Sequence, residues 1–365
     1  MIRTITVARS SLLLLFLLLS LTGCWDSKPI DHQGIVLMMS IRSAKTPGQY
    51  DWRFVFPNVT LSPSSLSSIA PSEEYYDIRV TAPNFADAVM LAQQKSARSL
   101  YLGQLEGIVW DTHLPFSHLW PLFSAINGAG TIPKTFWVMA ADGGPLSTYM
   151  NFVSPQVVAP RIALAAYFDC TRCSPMQLGE RGWKFWSDAV SSGISPSVPI
   201  VQIKQGNLAV QEVAVYAPNG HAVVYTPAET QGLSYLIGKV HRLTLTFPWH
   251  GHMVSLERVS DNRSVKTWPT PQALDVRETI HLNASIDEVS GQNAVTLSDE
   301  HAIARRAEHD VLELCLLAIH RANATQTDPF GYARPGEWFH PREGFYPIQA
   351  TITVILTLKG EGVVR

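Results

Sequence analysis

Hydrophobic and polar positions change period several times along the chain, and the changes outline its elements. Residues 34–41 ("GIVLMMSI") and 51–59 ("DWRFVFPNV") are β-branched and aromatic runs of strand length. Residues 75–82 alternate, with Tyr76, Ile78 and Val80 on one face of a half-buried strand. Asn84 follows as a helix N-cap, Asp87 adds negative charge to the first turn, and Phe85, Ala88, Val89 and Ala92 make one stripe. Strands at 105–110 and 134–140 bracket a short helix through "HLWPLFSAI". This alternation of strand and helix predicts a mixed α/β layer. Residues 153–170 and 182–191 read as further helix, the latter with Trp183 and Trp186 as apolar anchors.

Ser, Gly and Pro cluster at 191–199 and mark a boundary, after which strand content rises. Pro218-Asn219-Gly220 joins two strands as a hairpin turn, because Asn-Gly tolerates positive φ. Thr226-Pro227-Ala228-Glu229 is a capping box with Pro at the first helical position, and Gly238 ends that helix. Three antiparallel-type strands follow; in the last, Ile280, Leu282, Ala284 and Ile286 alternate strictly. Residues 298–322 form a long helix with Ile303, Ala307, Val311, Leu314, Cys315, Ala318 and Ile319 on one stripe, and Asn323 as its stop. A loop at 327–345 leads to a final strand at 347–358, packed against that helix. The fold class is therefore α+β and multi-domain, with mixed and antiparallel sheets packed with helices. Its units are an N-terminal α/β unit at 24–192 and a C-terminal α+β unit at 193–365.

The first 23 residues follow different rules. Arg3 and Arg9 make a positive leader, and no charge occurs from Ser10 to Cys24. The apolar core is about 10 residues, half of the roughly 20 that span a bilayer. Residues 1–23 thus read as a secretory signal peptide. Its end, Leu21-Thr22-Gly23-Cys24, resembles the bacterial lipobox. That resemblance implies cleavage before Cys24, an S-diacylglyceryl and N-acyl (palmitate-type) modification of Cys24, and a membrane tether. Two or three acyl chains hold a protein stably where one does not. Trp25 suits the lipid interface, with Asp26 keeping the backbone after it in water; the competing reading is that both serve the processing enzymes or docking on a partner.

Composition fits a folded body behind such a tether. The chain has 365 residues, 46% hydrophobic and 10% aromatic, ample for a sizeable core. Net charge is −2, and removing Arg3 and Arg9 takes the mature chain near −4, which excludes a nucleic-acid or polybasic membrane binder. No later apolar run approaches 18 residues, so no transmembrane helix is expected. Of four cysteines, Cys315 lies on the apolar helix stripe and reads as core. Cys170 and Cys173 form a C-x-x-C open to a local disulfide, a redox pair or two small side chains; no second pair completes a zinc site.

The chemical candidates are sparse. His250-Gly251-His252, with His241 nearby and His113 and His118 elsewhere, raises a metal reading, but Pro248, Trp249 and Gly251 make this a turn. No H-E-x-x-H, G-x-x-x-x-G-K-[ST] or G-x-S-x-G occurs. Asp328 and Glu337 suggest a carboxylate pair, yet Asp328-Pro329 reads better as a capped turn. Trp338, Phe339, Phe345 and Tyr346 read as anchors for a long loop, or else as a ligand-stacking patch. No catalytic residue, metal ligand or cofactor site is assigned.

Three stretches resemble one family. "LTGCWDSKPID" is similar to the start of Ger(x)C-type spore-germination lipoproteins, "ETQGLSYLIGKVHRLTLTF" to their helix–Gly-Lys–strand passage, and "HRANATQTDPFGYARPGEWF" followed by "FYPIQATITVILTLKGEG" to their C-terminal segment. Pro29 stands where the family usually has Glu, and Ala333 where a second Gly is usual. The resemblance implies a non-enzymatic C subunit of a nutrient germinant receptor, of unusual α/β domains. It would be lipid-anchored to the outer face of the spore inner membrane beside integral-membrane subunits. Whether it binds the germinant directly stays open. The alternative is an anchored extracytoplasmic hydrolase or metal-binding protein using His250 and His252.

Overall fold

A computed structural model describes residues 29–58, 75–142, 144–150, 152, 163–170, 176, 178–290, 296–337 and 344–359. The expected leader, Cys24, Trp25 and Asp26, most of the helix expected at 153–170, Cys173, Trp338 and Phe339 lie outside these residues.

The first part contains strands β1 (Gln33–Ile35), β2 (Met38–Ser43), β3 (Tyr50–Pro57), β4 (Tyr75–Ala82), β5 (Ser99–Tyr101), β6 (Gly107–Asp111), β7 (Trp137–Ala141), β8 (Glu180–Arg181), β9 (Ser197–Lys204), β10 (Asn207–Tyr216) and β11 (Ala222–Tyr225). Its helices are α1 (Phe85–Gln94), α2 (Phe116–Gly128), α3 (Leu146–Met150), α4 (Ala163–Asp169) and α5 (Gly182–Val190). β1 and β5 pair apart from the rest. The others form a nine-stranded sheet ordered β11-β10-β9-β7-β6-β2-β3-β4, with β8 on β7. The centre is parallel across β2, β6, β7 and β9. Both flanks are antiparallel. Central strands covered on both faces read as continuous apolar runs, as "GIVWD" and "WVMAA" do.

One face of this sheet, with Trp52, Phe54, Trp110 and Val138, packs under α1, α2 and Phe185 of α5. The opposite face contributes Met38, Val109, Met139 and Val215 to a core that continues into the second part. That part holds α6 (Pro227–Leu236), β12 (His241–Trp249), β13 (His252–Pro269), β14 (Leu274–Val289), α7 (Leu297–Thr325), α8 (Arg334–Glu337) and β15 (Ile348–Leu358). The second sheet runs β12-β13-β14-β15, antiparallel except for β15, which lies parallel to β14 at the edge.

Several local expectations match at the atomic level. Asn84 accepts the Asp87 N–H at 2.9 Å. The Thr226–Glu229 capping box forms. At the end of α6, Gly238 has φ +68°, its N–H donates to the Tyr235 carbonyl and the Lys239 N–H to the Ser234 carbonyl, the double closure that favours glycine. Cys315 is free and buried.

Other expectations need correction. The run at 34–41 is two strands, because the chain changes partner: Val36 N–H donates to Tyr101 and Leu37 N–H to Val55. Trp183 and Trp186 are exposed, at 53% and 37%, and Phe185 is the anchor. The inward positions of α5 are Gly182, Phe185 and Asp188, since the helix starts against the Phe136 ring. Asn323 does not end α7, which runs to Thr325 and closes with Gln326 at φ +55°. The Asn323 amide instead brackets Ile348, accepting its N–H at 2.8 Å and donating to its carbonyl at 3.0 Å. Strands β9 to β11, which follow the expected boundary at 192/193, hydrogen-bond into the first sheet.

Candidate functional site

The segment after α7 is a turn closed on the Asp328 carboxylate and tied to the first part by the Asp328 backbone and by Arg334. Asp328 accepts the N–H groups of Phe330 (3.1 Å), Gly331 (2.9 Å) and Ala333 (2.9 Å). This is the capped turn that Asp-Pro predicts. Gly331 has φ +72°, a region costly for a side chain. Ser195 and Asp328 exchange two further bonds: Ser195 N–H to the Asp328 carbonyl at 2.8 Å, and Asp328 N–H to the Ser195 hydroxyl at 2.9 Å. Arg334 then reaches α5. Its guanidinium lies 3.3 Å from Asp188 and donates to the hydroxyls of Ser187 (3.2 Å) and Ser191 (3.3 Å). Burial raises the Asp328 pKa to about 6, against the pull of its turn's backbone N–H groups. A cavity of about 270 Å³ opens beside the turn, lined by Ser191, Ile194, Pro218, Leu274, Gln326 and Phe345 among others.

The same turn carries a side chain into the second sheet. Tyr332 donates its hydroxyl to Glu278, which is wholly buried. Arg263 lies 3.7 Å from the other carboxylate oxygen, an ion pair beyond hydrogen-bond reach, and donates to the Leu236 carbonyl at the end of α6. Burial pushes Glu278 up to about 7, with the Tyr332 and Arg263 contacts opposing. Asp261, which accepts the Val240 N–H at 3.2 Å, is raised by burial to about 6. Glu278 was legible in principle: it occupies an inward position of the alternating β14, where an apolar residue is the rule. Asp188 and Ser195 carried no such signal, because their partners, Arg334 and Asp328, lie 146 and 133 residues further along the chain.

The sequence candidates disperse. His250 sits in the tight turn between β12 and β13 with φ +46°, followed by Gly251 at +82°. His252 Nδ1 faces the Ser290 carbonyl at 2.6 Å. Cys170 is disulfide-bonded. Phe345 and Tyr346 pack on the core, as loop anchors do. Among the described residues, one trio suited to a metal falls together, His309, Asp310 and Glu313, on the surface of α7. Asp310 is already paired with Arg306 at 3.0 Å. The chemistry of the junction is thus that of a scaffold: Asp328 closes the turn, Asp188 on α5 meets its Arg334, and Glu278 on β14 meets its Tyr332.

Fold and junction define an α+β protein with two large sheets whose parts are locked by the turn at 328–334. Residues 26–203 match the family described as "Spore germination protein N-terminal domain", and residues 218–352 the family described as "Spore germination B3/ GerAC like, C-terminal". The chain belongs to this family of spore germination proteins, the germinant-receptor C subunits. A crystal structure of the GerBC protein has a similar fold, with TM-score 0.52 and 12% sequence identity, covering 88% of this chain and 97% of that chain. No curated protein sequence matches the chain.

Proposed function

We propose that this chain is the lipid-anchored, non-enzymatic subunit of a spore germinant receptor and acts through protein–protein contacts at the extracytoplasmic face of the inner membrane. The carrying observation is the family match, which begins at residue 26, two positions after the lipobox Cys24, and extends to residue 352. The acylated Cys24 supplies the membrane attachment, and the body from Trp25 onward meets two integral-membrane subunits. A body whose halves are locked at Ser195, Asp328 and Arg334 suits this role, because a rigid adaptor keeps its docking faces in register.

Crosslinking followed by pull-down from spore membranes tests the reading; recovery of two integral-membrane receptor subunits supports it, and their absence counts against it. The tether has its own test. The Cys24→Ala protein is expected to leave the membrane fraction and to take up no labelled palmitate. Stoichiometric zinc in the purified protein would instead favour a metal-binding role.

A further inference from the structure

A polar cleft of about 420 Å³ lies on the face of the first sheet opposite α1 and α2, where β2, β3 and β4 pass the start of α3. Strand alternation builds it. Met39, Ile41, Trp52, Phe54, Ile78 and Val80 face the helices, so the residues between them face the cleft. These include Arg42, Asp51, Arg53, Arg79 and Thr81, and Lys95 joins them from beyond the end of α1. Four cationic side chains therefore line a space that holds one carboxylate, Asp51.

The register makes this arrangement costly. Arg53 on β3 lies directly opposite Arg79 on β4. Like charges so placed repel. Asp77 answers part of the charge, lying 3.2 Å from Arg53 and 2.7 Å from Arg79. Asp111 takes Arg42 at 3.2 Å. Thr81 already occupies Asp51 at 2.7 Å, and Lys95 donates to the Arg79 carbonyl at 2.7 Å. One group is left over. The Arg53 side chain is 13% exposed, and its Nη1 is buried with no hydrogen-bond partner among the described residues. Burial lowers the Arg53 pKa, Asp77 opposes it, and the neighbouring Arg79 adds a smaller lowering. An unanswered buried guanidinium nitrogen is expensive, and an oxyanion that reaches the group satisfies it with charge-assisted hydrogen bonds.

We infer that this cleft is a binding site for a small solute bearing an oxyanion, a carboxylate or a phosphate, held by Arg53 with Arg79 and Lys95 around it. A space of this size suits a small molecule. The site stands independently of the tether and of the receptor partners.

The test uses the full-length protein in detergent. Its thermal midpoint is followed against sodium phosphate and sodium acetate, with ionic strength held constant by sodium chloride. A ligand that binds only the folded state raises the midpoint with saturation. The inference expects a saturable rise with at least one anion, and the stronger response tells phosphate from carboxylate. It expects half-saturation to move about tenfold or more in Arg53→Met, as for a lost charged hydrogen bond. Arg79→Met alters a side chain that is 66% exposed, so it tests the site even where Arg53→Met does not fold, and a similar shift is expected. The inference is overturned if neither anion exceeds chloride, or if the variants keep the wild-type half-saturation.

Discussion

The Tyr332 hydroxyl donates to Glu278, and the carboxylate it meets is fully shielded from water. The folded protein holds a proton on Glu278 up to about pH 7, against an ordinary value of 4.5. The folded state thus binds that proton more tightly than the unfolded chain. The stability this adds is complete below about pH 4.5 and is lost as pH rises through 7. Glu278→Gln keeps an acceptor for Tyr332 without the charge. Urea unfolding of both proteins from pH 4 to 8 is expected to give similar stabilities at the acid end. At pH 8 the variant should be ahead by up to about 3 kcal/mol. A difference that does not change with pH would contradict this.

Gly232 of α6 lies against the backbone of α7, where an added Cβ would meet the carbonyl oxygen of Leu314. Backbone cannot rotate out of the way as a side chain can. Gly232→Ala is expected to force the helices apart and cost about 2–3 kcal/mol, despite the better helix propensity of alanine. The change in unfolding midpoint measures it.

Asp328 answers three backbone N–H groups at once. Asp328→Ala leaves all three without that partner, the Phe330 N–H in a buried position, and is expected to cost about 3 kcal/mol. Asp328→Asn, which keeps one carbonyl oxygen, should fall between that and wild type. Hydrogen exchange at residues 330–333 should accelerate in the same order.

On α5, Phe185 touches the Trp110, Phe123 and Tyr216 rings, while Trp183 and Trp186 face outward. Phe185→Ala should cost about 3–5 kcal/mol. Trp183→Ala and Trp186→Ala should each stay within about 0.5 kcal/mol. Equal losses at all three positions would overturn the assignment of Phe185 as anchor.

The sequence by itself determined what depends on neighbours a few residues apart. The caps at Asn84 and Thr226, the Asn219-Gly220 hairpin, the closure at Gly238 and the apolar stripe of α7 are each set by local backbone bonding or by side-chain period. The family motifs are local in the same sense. Tertiary structure decided the rest. Glu278 could be placed inward by alternation, but its partners Tyr332 and Arg263 come from elsewhere in the chain. Asn323 looked like a helix stop, yet a strand edge captured its amide and α7 continued beyond it. The Ser/Gly/Pro cluster before residue 200 looked like a domain break, yet β9 found its place beside β7. Sheet pairing and buried charge are settled between residues far apart in sequence, and no local period encodes which distant edge or carboxylate a residue will meet.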